Sequence, residues 1–68
     1  MNLSIVIPTY NEEKNVALLH EEIGKALQNS VSYEIIFVDD GSRDGTFQTL
    51  KDMRRRDGRV KVIRFKKN

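Results

Sequence analysis

The sequence predicts an α/β fold, namely a βαβαβ unit whose three parallel strands form one sheet. Three short apolar runs rich in β-branched residues, at residues 3–7, 34–38 and 60–65, predict the strands. Two segments between them carry apolar residues at spacings of three and four, which is typical of amphipathic helices. Strands that alternate with helices in this way pair in parallel through right-handed crossovers. A chain of 68 residues makes one domain at most.

The first strand is nearly continuous in apolar residues and ends at Pro8, which favours burial on both faces of the sheet. Asn11 can cap the helix that follows. Glu12 and Glu13 then lie in the first turn, where the positive end of the helix dipole favours carboxylates. The helix is expected to end near residues 29–30. Its apolar stripe consists of Val16, Leu19, Ile23, Ala26 and Leu27.

The second strand, also expected to be buried on both faces, leads into residues 39–45, which are dense in turn-forming residue types. A second helix follows and is expected to end at residues 57–58. Its apolar side consists of Phe47, Leu50 and Met53. In the third strand, Lys61 and Arg64 interrupt the apolar residues, a pattern typical of an edge strand.

If the strand order is third, second, first, the first strand lies at the other edge of the sheet. No Lys, Arg or Pro lies within residues 3–7 to protect that edge from pairing with another chain. We therefore expect a further strand beside it and interpret residues 1–68 as the incomplete first segment of a larger domain. For the chain by itself, we expect association through the first strand.

The composition excludes several kinds of protein and leaves one question open. Cys is absent, which rules out disulfides and thiolate metal sites, and no apolar run approaches the ~20 residues that span a bilayer. Charge is uneven, because nine of the twelve Lys and Arg lie in residues 46–68. Those residues form either a solvated helix face and strand edge or a surface that meets anionic lipid or a polyprenyl phosphate. Nucleic acid is not expected, since no nucleic-acid-binding motif is present.

Two polar loops follow the first and second strands, at the sheet edge where ligands bind in open parallel sheets. The first offers the ring of Tyr10 and the carboxylate of Glu12, and the second offers Asp39 and Asp40. An aromatic ring can stack on a nucleobase, and a fixed carboxylate can accept a hydrogen bond from the ring N–H of uracil or guanine. The loops therefore predict a nucleoside site.

The second loop also contains Gly41 and Gly45, which permit a tight or left-handed backbone close to a ligand. Each site residue taken alone has a structural alternative: Tyr10 could cover the sheet end, the twin aspartates could form a turn, and Glu12 could serve only the helix dipole. His20 lies on the first helix away from the loops and is expected to be a surface residue rather than a ligand. No G-x-G-x-x-G, P-loop or G-x-S-x-G motif is present.

The segments LSIVIPTYNEEKNV and YEIIFVDDGSRDGT, followed by VKVIRFKKN, resemble the start of family 2 glycosyltransferases of the GT-A fold. The nearest subgroup is the polyprenyl-phosphate type, which includes dolichol-phosphate mannose synthases. The match covers essentially the whole chain. It implies that residues 1–68 are the N-terminal, nucleotide-binding part of a Rossmann-like GT-A domain.

This resemblance also implies roles for particular residues. The positions that match Pro8, Tyr10, Glu12, Val38 and Asp40 line the pocket for the base and ribose of the sugar nucleotide, and Asp39 supports their loop. Such enzymes hold Mg²⁺ or Mn²⁺ with a D-x-D motif, which this sequence lacks, and their catalytic base lies in a later segment. No catalytic or metal-binding residue is therefore expected in this chain.

In the complete enzyme, the resemblance implies transfer of a hexose from a UDP- or GDP-linked sugar to an acceptor such as a polyprenyl phosphate, with inversion at the anomeric carbon. The expected location is the cytoplasm, or the cytoplasmic face of a membrane. Two other interpretations remain: a non-catalytic nucleotide-binding fragment, and a receiver-like signalling module. The second fits poorly, because the first strand ends in Pro-Thr-Tyr and the third in Phe-Lys-Lys, where receivers carry acidic residues.

Overall fold

A computed structural model describes residues 2–27 and 32–65 and has the predicted topology. Its elements are β1 (Asn2–Thr9), α1 (Glu13–Leu27), β2 (Ser32–Asp39), α2 (Thr46–Arg56) and β3 (Val60–Arg64). The strands form one parallel sheet in the order β1-β2-β3, so the fold prediction is confirmed and the sheet has the strand order on which the expectation about its edges depends. The expected end of the first helix near residues 29–30 lies outside the described residues.

One face of the sheet carries the core. In register, Ile7 lies beside Phe37 and Phe37 beside Val62, and both helices pack over this row. Side chains alternate between the two faces of a strand, so from Ile35 onwards every second residue of β2 faces the helices and is buried. The buried apolar residues are Val16, Ile35, Phe37, Leu50, Met53 and Val60.

The opposite face of the sheet is open within the described residues. Val6 lies beside Ile36 on this face, Val38 lies beside Ile63, and the side chains of Val6 and Ile63 are 61% and 47% exposed. Within β1, Thr9 is the buried side chain among those described. The expectation that the first two strands are buried on both faces is therefore wrong here, because both helices lie on the same face.

Asn11 does not cap the first helix. It has a left-handed backbone, with φ 50°, and its side-chain oxygen accepts a hydrogen bond from the backbone N–H of Arg43 at 2.8 Å. The helix begins at Glu13, and the carbonyl of Glu12 accepts from the N–H groups of Asn15 and Val16. Asn tolerates the left-handed conformation better than most residues, and here it turns the chain towards the second loop.

His20 joins the two helices at the end of the molecule away from the loops. Its Nε2 lies 2.8 Å from Oδ2 of Asp57, the residue that ends α2, and its side chain is half-buried. Burial by itself raises the pKa of Asp57. Hydrogen bonds from His20 and the backbone of Arg59, with the charges of both, nevertheless hold it below its ordinary value. His20 is thus a structural residue rather than a plain surface one.

Candidate functional site

The loops after β1 and β2 are joined directly by hydrogen bonds. The N–H of Asn11 donates to Oγ of Ser42 at 2.9 Å, and the N–H of Arg43 donates back to the side chain of Asn11 at 2.8 Å. One residue further along the first loop, the N–H of Glu12 donates to Oγ1 of Thr46 at 2.8 Å. The two loops are therefore side by side, as expected for the ends of neighbouring parallel strands.

Asp39 organises the second loop from within. Its side chain is fully buried, and Oδ1 accepts hydrogen bonds from both the N–H of Ser42, at 3.1 Å, and the Ser42 hydroxyl. Between them, Gly41 has φ 73°, the left-handed conformation that the sequence predicts for it. This arrangement turns the chain back on itself and agrees with the supporting role that the family resemblance implies for Asp39.

Gly45 serves a different purpose from the one expected. Its φ is −80°, so of the tight or left-handed backbone that was expected, this residue does not have the left-handed one. Instead, its N–H donates to Oε1 of Glu13 at 3.0 Å, and a Cβ at position 45 would lie 2.6 Å from Oε2 of the same carboxylate. Glycine leaves room for Glu13 to approach the start of α2.

The start of α2 is held by Thr46. Its hydroxyl is fully buried, accepts from the N–H of Glu12 and donates to Oδ1 of Asp44. Asp44 also accepts from the N–H of Thr46 at 2.9 Å. The side-chain bond from Thr46 is the main reason that the pKa of Asp44 lies below its ordinary value. One threonine thus connects the starts of both helices.

Four of the predicted site residues lie on matching positions of the two strand ends. Pro8 and Val38 are register partners on the open face. The N–H of Asp40 donates to the carbonyl of Thr9 at 2.9 Å, which continues the ladder one residue past the strands and sets Asp40 opposite Tyr10. Tyr10 is 45% exposed and Asp40 is also exposed. Solvent can therefore reach both side chains from the carboxyl edge of the sheet.

Glu12, the fifth predicted site residue, stands apart from that row. It lies at the start of α1, is half-buried, and is tied through its backbone to Thr46. The structure therefore brings Tyr10 and Asp40 together at the strand ends and holds Glu12 beside the second helix.

Sequence reasoning missed the residues that hold the loops in place. Ser42 and Thr46 carry a signal, since hydroxyl side chains in loops bond nearby backbone groups, although their cross-loop partners lie 31 and 34 residues away. Arg64 carries no local signal. It lies at the end of β3, with Nε 3.6 Å from Oδ2 of Asp39.

Comparison with known proteins then identifies the chain's family. A family model described as Glycosyl transferase family 2 matches residues 4–68. The chain belongs to glycosyl transferase family 2. The resemblance stated from the two loop motifs is thereby confirmed.

Relatives in this family include enzymes named for polyprenyl-phosphate acceptors. CsbB of Bacillus subtilis (strain 168), named as a glycosyltransferase, is 48% identical over 97% of this chain and 20% of its own length. A dolichol-phosphate mannosyltransferase of Pyrococcus furiosus is 44% identical over 94% of this chain and 18% of its own. An undecaprenyl-phosphate 4-deoxy-4-formamido-L-arabinose transferase of Pseudomonas fluorescens is 47% identical over 82% and 17%, respectively. The chain thus spans about a fifth of the length of these relatives.

Family 2 glycosyltransferases generally use divalent metals, but the residues present do not fit one. In residues 2–27 and 32–65, no group of three His, Cys, Asp or Glu side chains is placed to hold a metal ion, and the sequence has no D-x-D motif. We therefore assign no chemical step of this chain to a metal. Within the same residues, neither helix is long and apolar enough to cross a bilayer.

Proposed function

We propose that the two loops bind the nucleoside part of a nucleoside diphosphate sugar, and that the chain serves in this way in glycosyl transfer. The observation that carries the proposal is the backbone bond from Asp40 to Thr9, which sets an accessible carboxylate opposite the accessible ring of Tyr10. The cross-loop bonds at Asn11 hold this pair in place before a ligand arrives. Preorganisation of this kind lowers the entropy that binding must overcome.

In this proposal each residue has a distinct task. Tyr10 stacks on the base, and Asp40 accepts a hydrogen bond from the ring N–H of uracil or guanine. Pro8 and Val38 supply an apolar floor beneath the base and ribose, since they are neighbours on the open face. Glu12 accepts from a ribose hydroxyl at the start of α1. Cytosine has no ring N–H to offer Asp40, so the carboxylate discriminates against it.

The proposed reaction of the whole protein is transfer of a hexose from a UDP- or GDP-linked sugar to a polyprenyl phosphate. An acceptor phosphate oxygen attacks the anomeric carbon, the bond to the nucleoside diphosphate breaks, and the diphosphate leaves with the electron pair, with inversion at that carbon. The names of the relatives from Pyrococcus furiosus and Pseudomonas fluorescens support this class of acceptor. A transfer assay with radiolabelled UDP- and GDP-hexoses and a short polyprenyl phosphate tests it.

The proposed location is the cytoplasm or the cytoplasmic face of a membrane. The exposed basic residues of α2 and β3, among them Arg54 and Lys61, support attraction to anionic lipid. Co-sedimentation with vesicles of phosphatidylcholine, with and without phosphatidylglycerol, measures it. Equal binding to both kinds of vesicle would contradict an electrostatic attraction and favour a merely solvated basic face.

The nucleoside site is tested by replacing Asp40 with Asn, which keeps the size of the side chain but removes its charge. A hydrogen bond to a charged group is worth about 1.5–3 kcal/mol, so the Kd for UDP or GDP is expected to rise roughly 10- to 150-fold by calorimetry. Asp52→Asn, a change on the outer side of α2, is the matched control and should leave the Kd unchanged. Equal affinity of Asp40→Asn and wild type would remove Asp40 from the site.

A second candidate is nucleotide binding without transfer. The two candidates differ in one measurement. Binding of UDP or GDP with no release of sugar from the labelled donor, at any concentration of Mg²⁺ or Mn²⁺, supports the second. A receiver-like module would instead be labelled by acetyl phosphate.

A further inference from the structure

One carboxylate oxygen of Asp39 receives no hydrogen bond from the loop. Oδ1 accepts two hydrogen bonds from Ser42, whereas Oδ2 is buried and has no hydrogen-bond donor within the described residues. A buried carboxylate oxygen without a donor is costly unless a positive charge lies near it. The guanidinium of Arg64 supplies such a charge, with Nε 3.6 Å from Oδ2.

Arg64 makes two further contacts around the same loop. Its Nη2 donates to the carbonyl of Ser42 at 3.4 Å, and its Cζ lies 4.3 Å from the centre of the Phe47 ring. The planar guanidinium therefore spans the end of β2, the turn that follows, and the first turn of α2. A Lys side chain offers neither the second donor in this geometry nor the stacking plane.

The sheet itself sets the position of Arg64. In register, Arg64 is the partner of Asp39, and the N–H of Phe65 donates to the carbonyl of Asp39 at 2.9 Å. The contact is thus built on paired backbone at the end of the edge strand, and one of its two charges is fully buried. Exposed ion pairs such as Lys25 with Glu21 have neither feature, and pairs of that kind contribute little.

We propose that Arg64 is a positioning residue of the nucleoside site. By neutralising Asp39 and holding the Ser42 carbonyl, Arg64 fixes the turn over residues 39–42 and thereby the direction of Asp40. Arg64 itself need not touch the nucleotide. The inference rests on the proposed function for its effect on binding, but its effect on the turn stands on the contacts of Arg64 alone.

The test replaces Arg64 with Met, which keeps a long apolar stem, in the full 68-residue chain. Hydrogen exchange at the Ser42 amide is followed by NMR, because that N–H donates to Asp39. We expect exchange at Ser42 to accelerate about tenfold, and the Kd for UDP or GDP to rise about tenfold, the equivalent of one ordinary hydrogen bond. Arg64→Lys should fall between wild type and Arg64→Met.

Arg59→Met is the matched control. Arg59 also pairs with an aspartate, Asp57 at 3.8 Å, and lies 5.0 Å from an aromatic ring, that of Tyr33, but it is remote from the loops. Arg59→Met should change neither the hydrogen-exchange rate of the Ser42 amide nor the Kd for UDP or GDP. The double variant Asp39→Asn with Arg64→Met also removes the carboxylate charge that Arg64→Met leaves buried and unpaired. Hydrogen exchange at the Ser42 amide should therefore be slower in the double variant than in Arg64→Met alone.

Each outcome decides something. If Arg64→Met leaves both the hydrogen-exchange rate of the Ser42 amide and the Kd at wild-type values, the proposal is overturned. If Ser42 responds but wild type binds neither nucleotide, the proposed function fails, and with it the nucleotide part of this inference. Should Arg64→Met fail to fold, the comparison of Arg64→Lys with Arg59→Lys decides, because both keep the charge and lose only the planar fork.

Discussion

Removal of the Thr46 hydroxyl is the sharpest test of how the two loops are held together. Thr46→Val keeps the size and β-branching of the side chain but removes the oxygen that accepts from the N–H of Glu12 and donates to Asp44. The Thr46 side chain is fully buried and Glu12 is half-buried, so water only partly replaces the lost partner of the Glu12 N–H. The substitution therefore isolates the hydrogen bonds from the packing.

The expected loss follows from the partner that is left behind. A backbone N–H deprived of its acceptor in a buried position costs about 1–3 kcal/mol. A folded chain of this length has a total stability of roughly 3–10 kcal/mol, so the change should be large on that scale. The lost bond to Asp44 adds a pH-dependent part. The pKa of Asp44 is lowered in the folded protein, so this part is present at neutral pH and is lost as the pH falls through that lowered pKa.

Urea unfolding, followed by circular dichroism at several pH values, measures the difference. Thr46→Ser, which keeps the hydroxyl and loses only a methyl group, is the control and should lie closer to wild type. If Thr46→Val were as stable as Thr46→Ser at neutral pH, the hydroxyl would not hold the helices, and the reasoning would be refuted. If the difference in the free energy of unfolding between Thr46→Val and wild type grew as the pH fell, that result would contradict the role given to Asp44.

Three further outcomes are expected. Asp57→Asn should lower the free energy of unfolding at neutral pH by about 0.5–1 kcal/mol, and in acid unfolding experiments this difference should vanish below the lowered pKa of Asp57. Gly45→Ala should change stability by less than about 1 kcal/mol in urea, because Glu13 can swing away and the alanine restricts the unfolded chain; a loss above about 2 kcal/mol would mean that Glu13 cannot move. Val6→Lys should shift self-association towards monomer in sedimentation velocity, whereas an unchanged distribution would show that β1 is not the contact.

Much of the fold could be predicted because its signals are local. The β-branched runs around Ile35 and Val62 and the spacing of Val16 with Ile23 each fall within one element, and alternation of strands and helices then fixes the topology. Burial of β1 could not be predicted in the same way. The sequence of an apolar strand such as the one containing Val6 has the same pattern whether one face of the sheet or both are covered. The number of covered faces depends on where the helices pack.

The candidate site was predictable to the extent that it follows from strand ends. Tyr10 and Asp40 each come directly after a strand, so parallel pairing brings them together. Asn11 and Gly45 were misjudged for one reason. Residue type suggested a helix cap for the first and a tight or left-handed backbone close to a ligand for the second, whereas both bond to partners more than 30 residues away, Arg43 and Glu13.

Four of the cross-loop hydrogen bonds share a pattern that bears on what the site can bind. Each uses a backbone N–H as donor and a side chain from the other half of the site as acceptor; the donors are Asn11, Glu12, Arg43 and Gly45. Two of these N–H groups lie immediately before a helix. The residue before each helix therefore donates its N–H to a side chain from across the site, and at α2 the side chain of Asp44 in addition accepts from the N–H of Thr46.

This use of the N–H groups separates the site from those that cradle phosphate. In a glycine-rich phosphate loop, backbone N–H groups at a helix start have no acceptor within the protein and donate to the bound anion. Here the N–H groups of Glu12 and Gly45 already have oxygen acceptors within the protein, and those of Asn11 and Arg43 do as well. The side chains of Tyr10 and Asp40, which are exposed at the strand ends, suit a base better than an anion. These contacts support the proposal that the loops recognise the nucleoside, and in that proposal other groups hold the diphosphate.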